Sequence, residues 1–323
     1  MATVLIDNRV MNSGYAYYDL IKEPFAGICA LDYYTQRYPK FGRGEWQARI
    51  ARGLVFLNGD VVLPDRVLRA GDRLEYRRPP WEEPAVPTEL PVIFEDEDLL
   101  VVNKPACLPV LPGGGFLEST VIRLLRRRSA GWKSVSPIHC LDRGTSGLLL
   151  LGKNRETRSA LGRALQKHRI VRLYLAVLAG RFAEDQLSVA TPIGLEQHPR
   201  LGPIHVASAS GKPAQTDFRV LDRDELTQTT LVQAAPRSGR THQIRIHAAV
   251  VGYPLAGEAF YVTGGRWDAE AAKRADRFPL SGDCGFRLHA WQVTFVHPRG
   301  GSPVHLMCPP PMGFWGSPVA AFA

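Results

Sequence analysis

The stretch His139-Cys140-Leu141-Asp142-Arg143-Gly144-Thr145-Ser146-Gly147 sets one carboxylate in a tight turn, directly before the apolar run Leu148-Leu149-Leu150-Leu151. Gly147 and Gly152 bound that run, which is the pattern of a buried strand, although a buried helix segment reads the same way. Asp142 is thereby expected at the edge of a core. Thr145, Ser146 and the adjacent glycines suit a backbone that turns sharply there. A turn aspartate can simply cap its own loop. Held beside a cation, it stays ionised at neutral pH, as a nucleophile requires.

Cations are abundant around it. From Arg123 to Arg172 the chain carries thirteen Lys or Arg against two acids, Asp142 and Glu156. That window is net +11 in a chain of net +9, so the remainder is net −2. A lone interior carboxylate in a basic field suggests a polyanion held by the field and acted on by the carboxylate. Arg123, Arg126, Arg127, Arg143, Arg163 and Lys167 are the candidate contacts, with Arg240 further along. The alternative is a solvated helix face, which most charge runs are.

The elements that must position these residues follow from periodicity and punctuation. Ser119 is expected to cap a helix whose Val121, Ile122, Leu124 and Leu125 are apolar. Asn154 is expected to cap a second, from Arg155 to about His168, with Ala160, Leu161, Ala164 and Leu165 inward. Val171 to Leu178 alternates as a strand and carries Tyr174, which in a strand is ordinarily a packing residue. Thr216 to Leu221 and Thr229 to Ala234 read as a strand pair, and Gly194 to Ala214 as a loop. Thr241 is placed to cap a helix that Gly252 and Pro254 end, with Arg245 in its second turn. An arginine near a helix N-terminus is a natural seat for phosphate or a buried carboxylate. Arg287 to Pro298 is a further strand.

Ahead of this lies a smaller segment. Residues 1–30 are Tyr-rich and read as an extended arm. Residues 31–78 form a small module, with a helix carrying Trp46 and Ile50 on one face and a hairpin at Asn58-Gly59. Five prolines mark 79–91 as a linker. The large domain spans 92–310, opening on a hairpin with an acidic tip at 95–98, and 311–323 is an irregular tail. The order of strands and helices gives an α+β class with a mainly antiparallel sheet.

Composition narrows the class further. With 45% hydrophobic and 22% charged residues the chain is ordinary for a globular protein. No apolar run reaches the ~20 residues of a membrane span. The N-terminus lacks a secretory pattern, so a cytoplasmic protein is expected. Five scattered cysteines without paired spacing argue against a zinc site or a disulfide scaffold, and no metal is expected.

His139 to Lys153, Arg172 to Val177 and Gly239 to Gly252 together resemble the motifs of the RluA-type pseudouridine synthases. Asn103-Lys104-Pro105 is similar to the usual start of that catalytic domain, and Arg287-Leu288-His289-Ala290 to its late strand. The resemblance covers about 90–310. Leu54 to Tyr76 looks like the α-L RNA-binding module often placed ahead of it. The resemblance implies isomerisation of uridine to pseudouridine within rRNA or tRNA, without metal or cofactor, by a protein taken by default as a monomer. Asp142 then matches the catalytic aspartate, Tyr174 the tyrosine that stacks on the target base and is implicated in relaying the proton lost from carbon 5, and Arg245 the arginine that pairs with the aspartate. Cys140 departs from the pattern, standing where the family usually has an arginine implicated in filling the space left by the flipped base. An RNA-binding protein that has lost catalysis is therefore the alternative. A glycosidase, needing a second carboxylate ~5–10 Å away, finds none in the aspartate stretch.

Overall fold

The computed structural model describes residues 9–269 and 282–316. The first eight residues of the expected arm and the last seven of the expected tail lie outside the described residues. The chain gathers into two compact units, one of Arg9–Glu83 with Glu196–Ile204, the other of Pro84–Leu195 and the residues from His205 onward.

The smaller unit contains β1 (Val10–Met11), β2 (Tyr15–Leu20), α1 (Ala30–Arg37), α2 (Arg43–Ala51), β3 (Val55–Leu57), β4 (Asp60–Val61), β5 (Arg73–Arg78) and β6 (Glu82–Glu83). A four-stranded sheet runs in the order β2-β5-β3-β4. Its hairpin turn is Asn58-Gly59, both residues at positive φ (54° and 105°), as a two-residue turn between twisted strands demands. Trp46 and Ile50, one helical turn apart, are both buried in its core with Tyr33, Tyr34 and Leu74. Tyr15–Leu20, expected in an extended arm, is instead a strand paired with Arg73–Arg78. Its partner lies more than fifty residues away, and only that partner turns a tyrosine-rich stretch into sheet. Likewise Glu82–Glu83, within the proline-rich stretch, pairs with Val10–Met11.

The larger unit contains β7 (Val92–Glu95), β8 (Leu99–Lys104), α3 (Val121–Arg128), β9 (Ser136–Pro137), β10 (Ser146–Gly152), α4 (Arg155–Gln166), β11 (Val171–Ala179), β12 (Gln186–Val189), the outer ends of β13 (Ile193–His198) and β14 (Gly202–Ala207), whose residues 196–204 group with the smaller unit, β15 (Thr216–Asp224), β16 (Thr229–Pro236), α5 (Gln243–Val250), β17 (Tyr261–Val262), β18 (Arg266–Trp267), β19 (Leu288–Val296) and β20 (Pro303–Met307). The main sheet runs β12-β15-β16-β11-β19-β10-β8-β7, with β20 on β19 and β9 on β10. The β10–β19 pairing is parallel and the sheet's other pairings are antiparallel. This is the α+β fold with a mainly antiparallel mixed sheet.

Several local expectations shift. The cap of α3 is Thr120, whose side chain accepts from Arg123 N; Ser119 sits one residue too early. Asn154 does cap α4, accepting from Thr157 N at 2.8 Å. The stretch 194–214 is not a loop throughout, since β13 and β14 form a hairpin there. His198 closes its turn by accepting from the N–H groups of Arg200 and Leu201, both at 3.1 Å. Its polar, glycine-bearing composition hid that alternation. The residue flanking α5 is His242, in the left-handed conformation at φ 56°, and not Thr241. Arg245 is consequently in the first turn of the helix. Of the tail, Phe314 and Trp315 are buried against Leu175, Leu231 and Trp291.

Candidate active site

Asp142 stands where the chain enters β10. All seven residues of that strand are buried, so the turn before it cannot drift without disrupting the core. The Asp142 carbonyl accepts from Thr145 N at 3.1 Å, closing the turn. Gly147, at φ 101°, lies against the neighbouring strand so tightly that a Cβ would sit 2.2 Å from the Ala290 carbonyl oxygen. Lys104 fixes the turn from the other side. Its fully buried Nζ donates to the carbonyls of Pro105 and Leu108, both at 2.8 Å, and of Arg143 at 3.1 Å. Burial pushes that ammonium down to about 7.

Arg245 reaches the same place from the first turn of α5. It is 1% exposed, and a buried guanidinium is tolerated only when paired and hydrogen-bonded. Glu258 supplies the pairing, accepting from Arg245 Nε at 2.7 Å and from Nη2 at 2.9 Å. The backbone N–H groups of Phe260 and Tyr261 donate to Glu258 in turn. Arg245 Nη1 points at Asp142 Oδ2, 3.4 Å away. The guanidinium carbon lies 4.2 Å from the Phe286 ring centroid, so its flat face is packed as well.

Tyr174 follows a register shift in β11 between Leu173 and Tyr174. Such a bulge re-aims the side chain. Tyr174 is 6% exposed, and burial pushes its hydroxyl up while Arg172 pulls it partly back. It lines, with Asp142, Arg172, Arg240, His242 and Arg245, a cavity of about 270 Å³. That lies just under the ~300 Å³ lower end of ordinary small-molecule sites. It can receive one base with its sugar, not a stacked helix.

The three residues singled out for chemistry therefore share one cavity. Of the seven candidate polyanion contacts, Arg240 lines it, donating from Nε to the Pro213 carbonyl at 3.1 Å. Arg123 and Arg127 lie beside Glu118 (3.8 and 3.4 Å), and Arg126 donates to the Val135 carbonyl. Arg143 turns to the Gly282 carbonyl and Asp283. Arg163 donates to Ser159, and Lys167 follows α4, exposed. Sequence reasoning missed Arg172 and His242, which line the cavity, and Glu258, which holds Arg245 from behind it. A signal for Glu258 existed, because it is the sole acid between Glu225 and Asp268.

A larger hollow, about 690 Å³, lies at the start of α4, at the opposite end of β10 from Asp142. Size does not make it the chemical centre. Its buried carboxylate, Asp98, is already held by Arg299 and Asn154, each at 2.7 Å. Among the described residues, Asp96, Asp98 and His297 bring possible metal-ligating atoms within 4.8 Å of one another. His297 Nε2 and Asp96 Oδ2 are already 2.9 Å apart, and Asp96 Oδ1 accepts from two backbone N–H groups.

Comparison with known proteins assigns the class. Residues 98–250 match the RNA pseudouridylate synthase family. The chain is 40% identical to an uncharacterized RNA pseudouridine synthase of Synechocystis over 87% of its length and 94% of that protein. It is 31% identical to the ribosomal large subunit pseudouridine synthase D of Xylella fastidiosa, over 86% and 84% of the two chains. Among solved structures, human RNA pseudouridylate synthase domain containing 1 superposes with a TM-score of 0.53 at 26% identity, covering 71% of this chain and 86% of that one. The chain belongs to the RluA-type RNA pseudouridine synthases, and is an isomerase that converts uridine in RNA to pseudouridine. No helix among the described residues is long and apolar enough to cross a membrane.

Proposed function

We propose that this synthase acts through Asp142, with Tyr174 and Arg245 as its partners, on uridine in ribosomal RNA, with transfer RNA as the other candidate pool. The reaction breaks the N1–C1′ bond, turns the base, and joins C5 to C1′; the proton leaves C5 and N1 gains one. A uridine stacked in folded RNA must first be flipped out, at a few kcal/mol. Stacking on an aromatic ring returns about 1–3 kcal/mol, and Tyr174 lines the cavity together with Asp142. The reading includes a monomer working in the cytoplasm without a metal, and a catalytic domain over 92–310. The smaller unit, including β2, is assigned as an RNA-binding module. The seven basic residues named above, with Arg172, hold flanking phosphates in this scheme.

The observation that carries this reading is the Arg245–Asp142 approach at 3.4 Å in the cavity that Tyr174 lines. The ribosomal assignment leans on the name of the Xylella relative. The test is tritium release from ribosomal RNA transcribed with [5-³H]uridine, comparing the protein with its Asp142→Ala variant. Release by the unmodified protein alone is expected. Equal release by both removes Asp142 from the mechanism. No release from ribosomal RNA, with release from transfer RNA, reassigns the substrate.

A further inference from the structure

His242 stands at the mouth of α5 with a ring nitrogen 3.6 Å from Asp142 Oδ1. Its protonation follows from a chain of contacts. Tyr261 Oη donates its single hydrogen to the His205 carbonyl, at 2.8 Å. His242 Nδ1 lies 2.7 Å from the same Oη. A carbonyl only accepts and a phenol has one proton, so Oη must accept from Nδ1–H. In the neutral ring the lone pair is then on Nε2, the nitrogen facing Asp142. A carboxylate offers that lone pair no proton, and 3.6 Å is too long for a hydrogen bond. The His242 side chain is 15% exposed and lines the Asp142 cavity. Its backbone is held at φ 56°, a conformation that few residues other than Gly, Asn, Asp and His adopt readily. An acceptor is thus fixed beside the reacting carboxylate.

A uridine inside an RNA strand has two hydrogen-bond donors, the base N3–H and the ribose 2′-hydroxyl. N3 is separated from the glycosidic nitrogen by the C2 carbonyl and its hydrogen points away from C1′, whereas the 2′-hydroxyl is borne on the carbon next to C1′. Asp142 must approach the glycosidic side, and Nε2 is its immediate neighbour. We propose that His242 is a specificity residue of this synthase, accepting a hydrogen bond at Nε2 from the 2′-hydroxyl of the target uridine. The assignment rests on reading Asp142 as the reacting carboxylate. It gives the enzyme a means of telling RNA from DNA at the one nucleotide it isomerises, since the 2′-hydroxyl is the group that differs.

The charged and titratable groups around His242 are Asp142, Arg245, Glu258 and His205, with Tyr261 in contact. Burial lowers the His242 imidazole below its ordinary range, with Asp142 and Glu258 opposing and Arg245 and His205 reinforcing. The ring is therefore neutral at pH 7 and able to accept.

The test uses RNA containing the mapped target uridine, made with either a 2′-hydroxyl or a 2′-hydrogen at that single nucleotide. Single-turnover kcat/KM is measured on both by the unmodified protein, His242→Asn and His242→Phe. Tritium release from the ribose substrate by the unmodified protein but not by Asp142→Ala checks the Asp142 reading separately. The unmodified protein is expected to prefer the ribose form. That preference should shrink about tenfold in both variants, the loss of one hydrogen bond. Intrinsic effects of the 2′-group on the chemistry are common to all three proteins and cancel in the ratio of ratios. His242→Asn keeps a residue tolerant of the left-handed backbone but is too short to put an acceptor at Nε2, so it serves if the Phe variant does not fold. An unchanged preference in a folded variant overturns the proposal, even if its overall rate falls.

Discussion

Arg245 gives Glu258 both faces of a fork, Nε at 2.7 Å and Nη2 at 2.9 Å, and meets Asp142 with Nη1 at 3.4 Å. The shorter, bidentate bonds go to Glu258 and the longer, single approach to Asp142. Glu258 thus fixes the guanidinium, and the guanidinium in turn faces the carboxylate proposed to react. A cation held by two short bonds elsewhere keeps its place whatever Asp142 binds.

Glu258→Gln removes the charge and leaves a buried arginine underpaired. Breaking a buried pair costs about 3–5 kcal/mol, so a lower melting temperature is expected, together with a fall in kcat larger than the rise in KM. The pH dependence has a definite sign. Burial alone would raise the Glu258 carboxyl, but Arg245 outweighs it and holds the group below its ordinary range. A depressed carboxyl stabilises the fold above its unfolded value, near 4.5, and loses that contribution as pH falls through the folded value. Thermal melts of the unmodified protein should therefore drop on acidification below about pH 4.5, and Glu258→Gln should show a shallower drop. Parallel acid profiles for the two proteins would count against this role.

Tyr174 separates stacking from its hydroxyl. Tyr174→Phe keeps the ring and should bind target RNA within about twofold of the unmodified protein, while tritium release slows. Tyr174→Leu removes a stacking partner worth about 1–3 kcal/mol and should weaken binding roughly 5- to 150-fold. A Leu variant that binds normally would mean that the target base rests elsewhere.

The arginines divide by partner. Arg172 and Arg240 line the cavity, whereas Arg123 and Arg127 lie against Glu118. Affinity for RNA measured from 50 to 200 mM salt should lose about one unit of log–log slope with Arg240→Ala or Arg172→Ala. A smaller change is expected for Arg123→Ala or Arg127→Ala, whose charges Glu118 already offsets in part. Equal losses at all four would make the whole basic face one continuous RNA track.

Gly147→Ala tests how the turn is supported. The added Cβ would meet the Ala290 carbonyl at 2.2 Å, at a φ of 101°. Neither backbone can yield without breaking the parallel β10–β19 contact at Ser146–His289 and Gly147–Ala290. A loss of several kcal/mol or failure to fold is expected, read as soluble yield and melting temperature. A stable variant would show that the two strands can part there.

The motifs of the candidate site were legible in the chain alone, because these are local. Asp142 before a bounded apolar run, the Asn58-Gly59 turn and the Asn154 cap each involve groups a few residues apart, and their types leave few conformations open. The α+β class followed from the order of such elements. Tertiary structure decided everything that depends on partners far along the chain. Tyr15–Leu20 is a strand because Arg73–Arg78 lies beside it, and 193–207 is a hairpin despite a loop-like composition. Arg245 could have paired with any acid. Glu258 was selected because a buried guanidinium must be neutralised at short range, and folding brings that carboxylate there. His242 stood within the motif from the start, yet which nitrogen carries its proton is set by Tyr261 and the His205 carbonyl. Hydrogen-bond direction across nineteen and fifty-six residues is a property of the packed molecule, since only burial makes each donor and acceptor account for its partner.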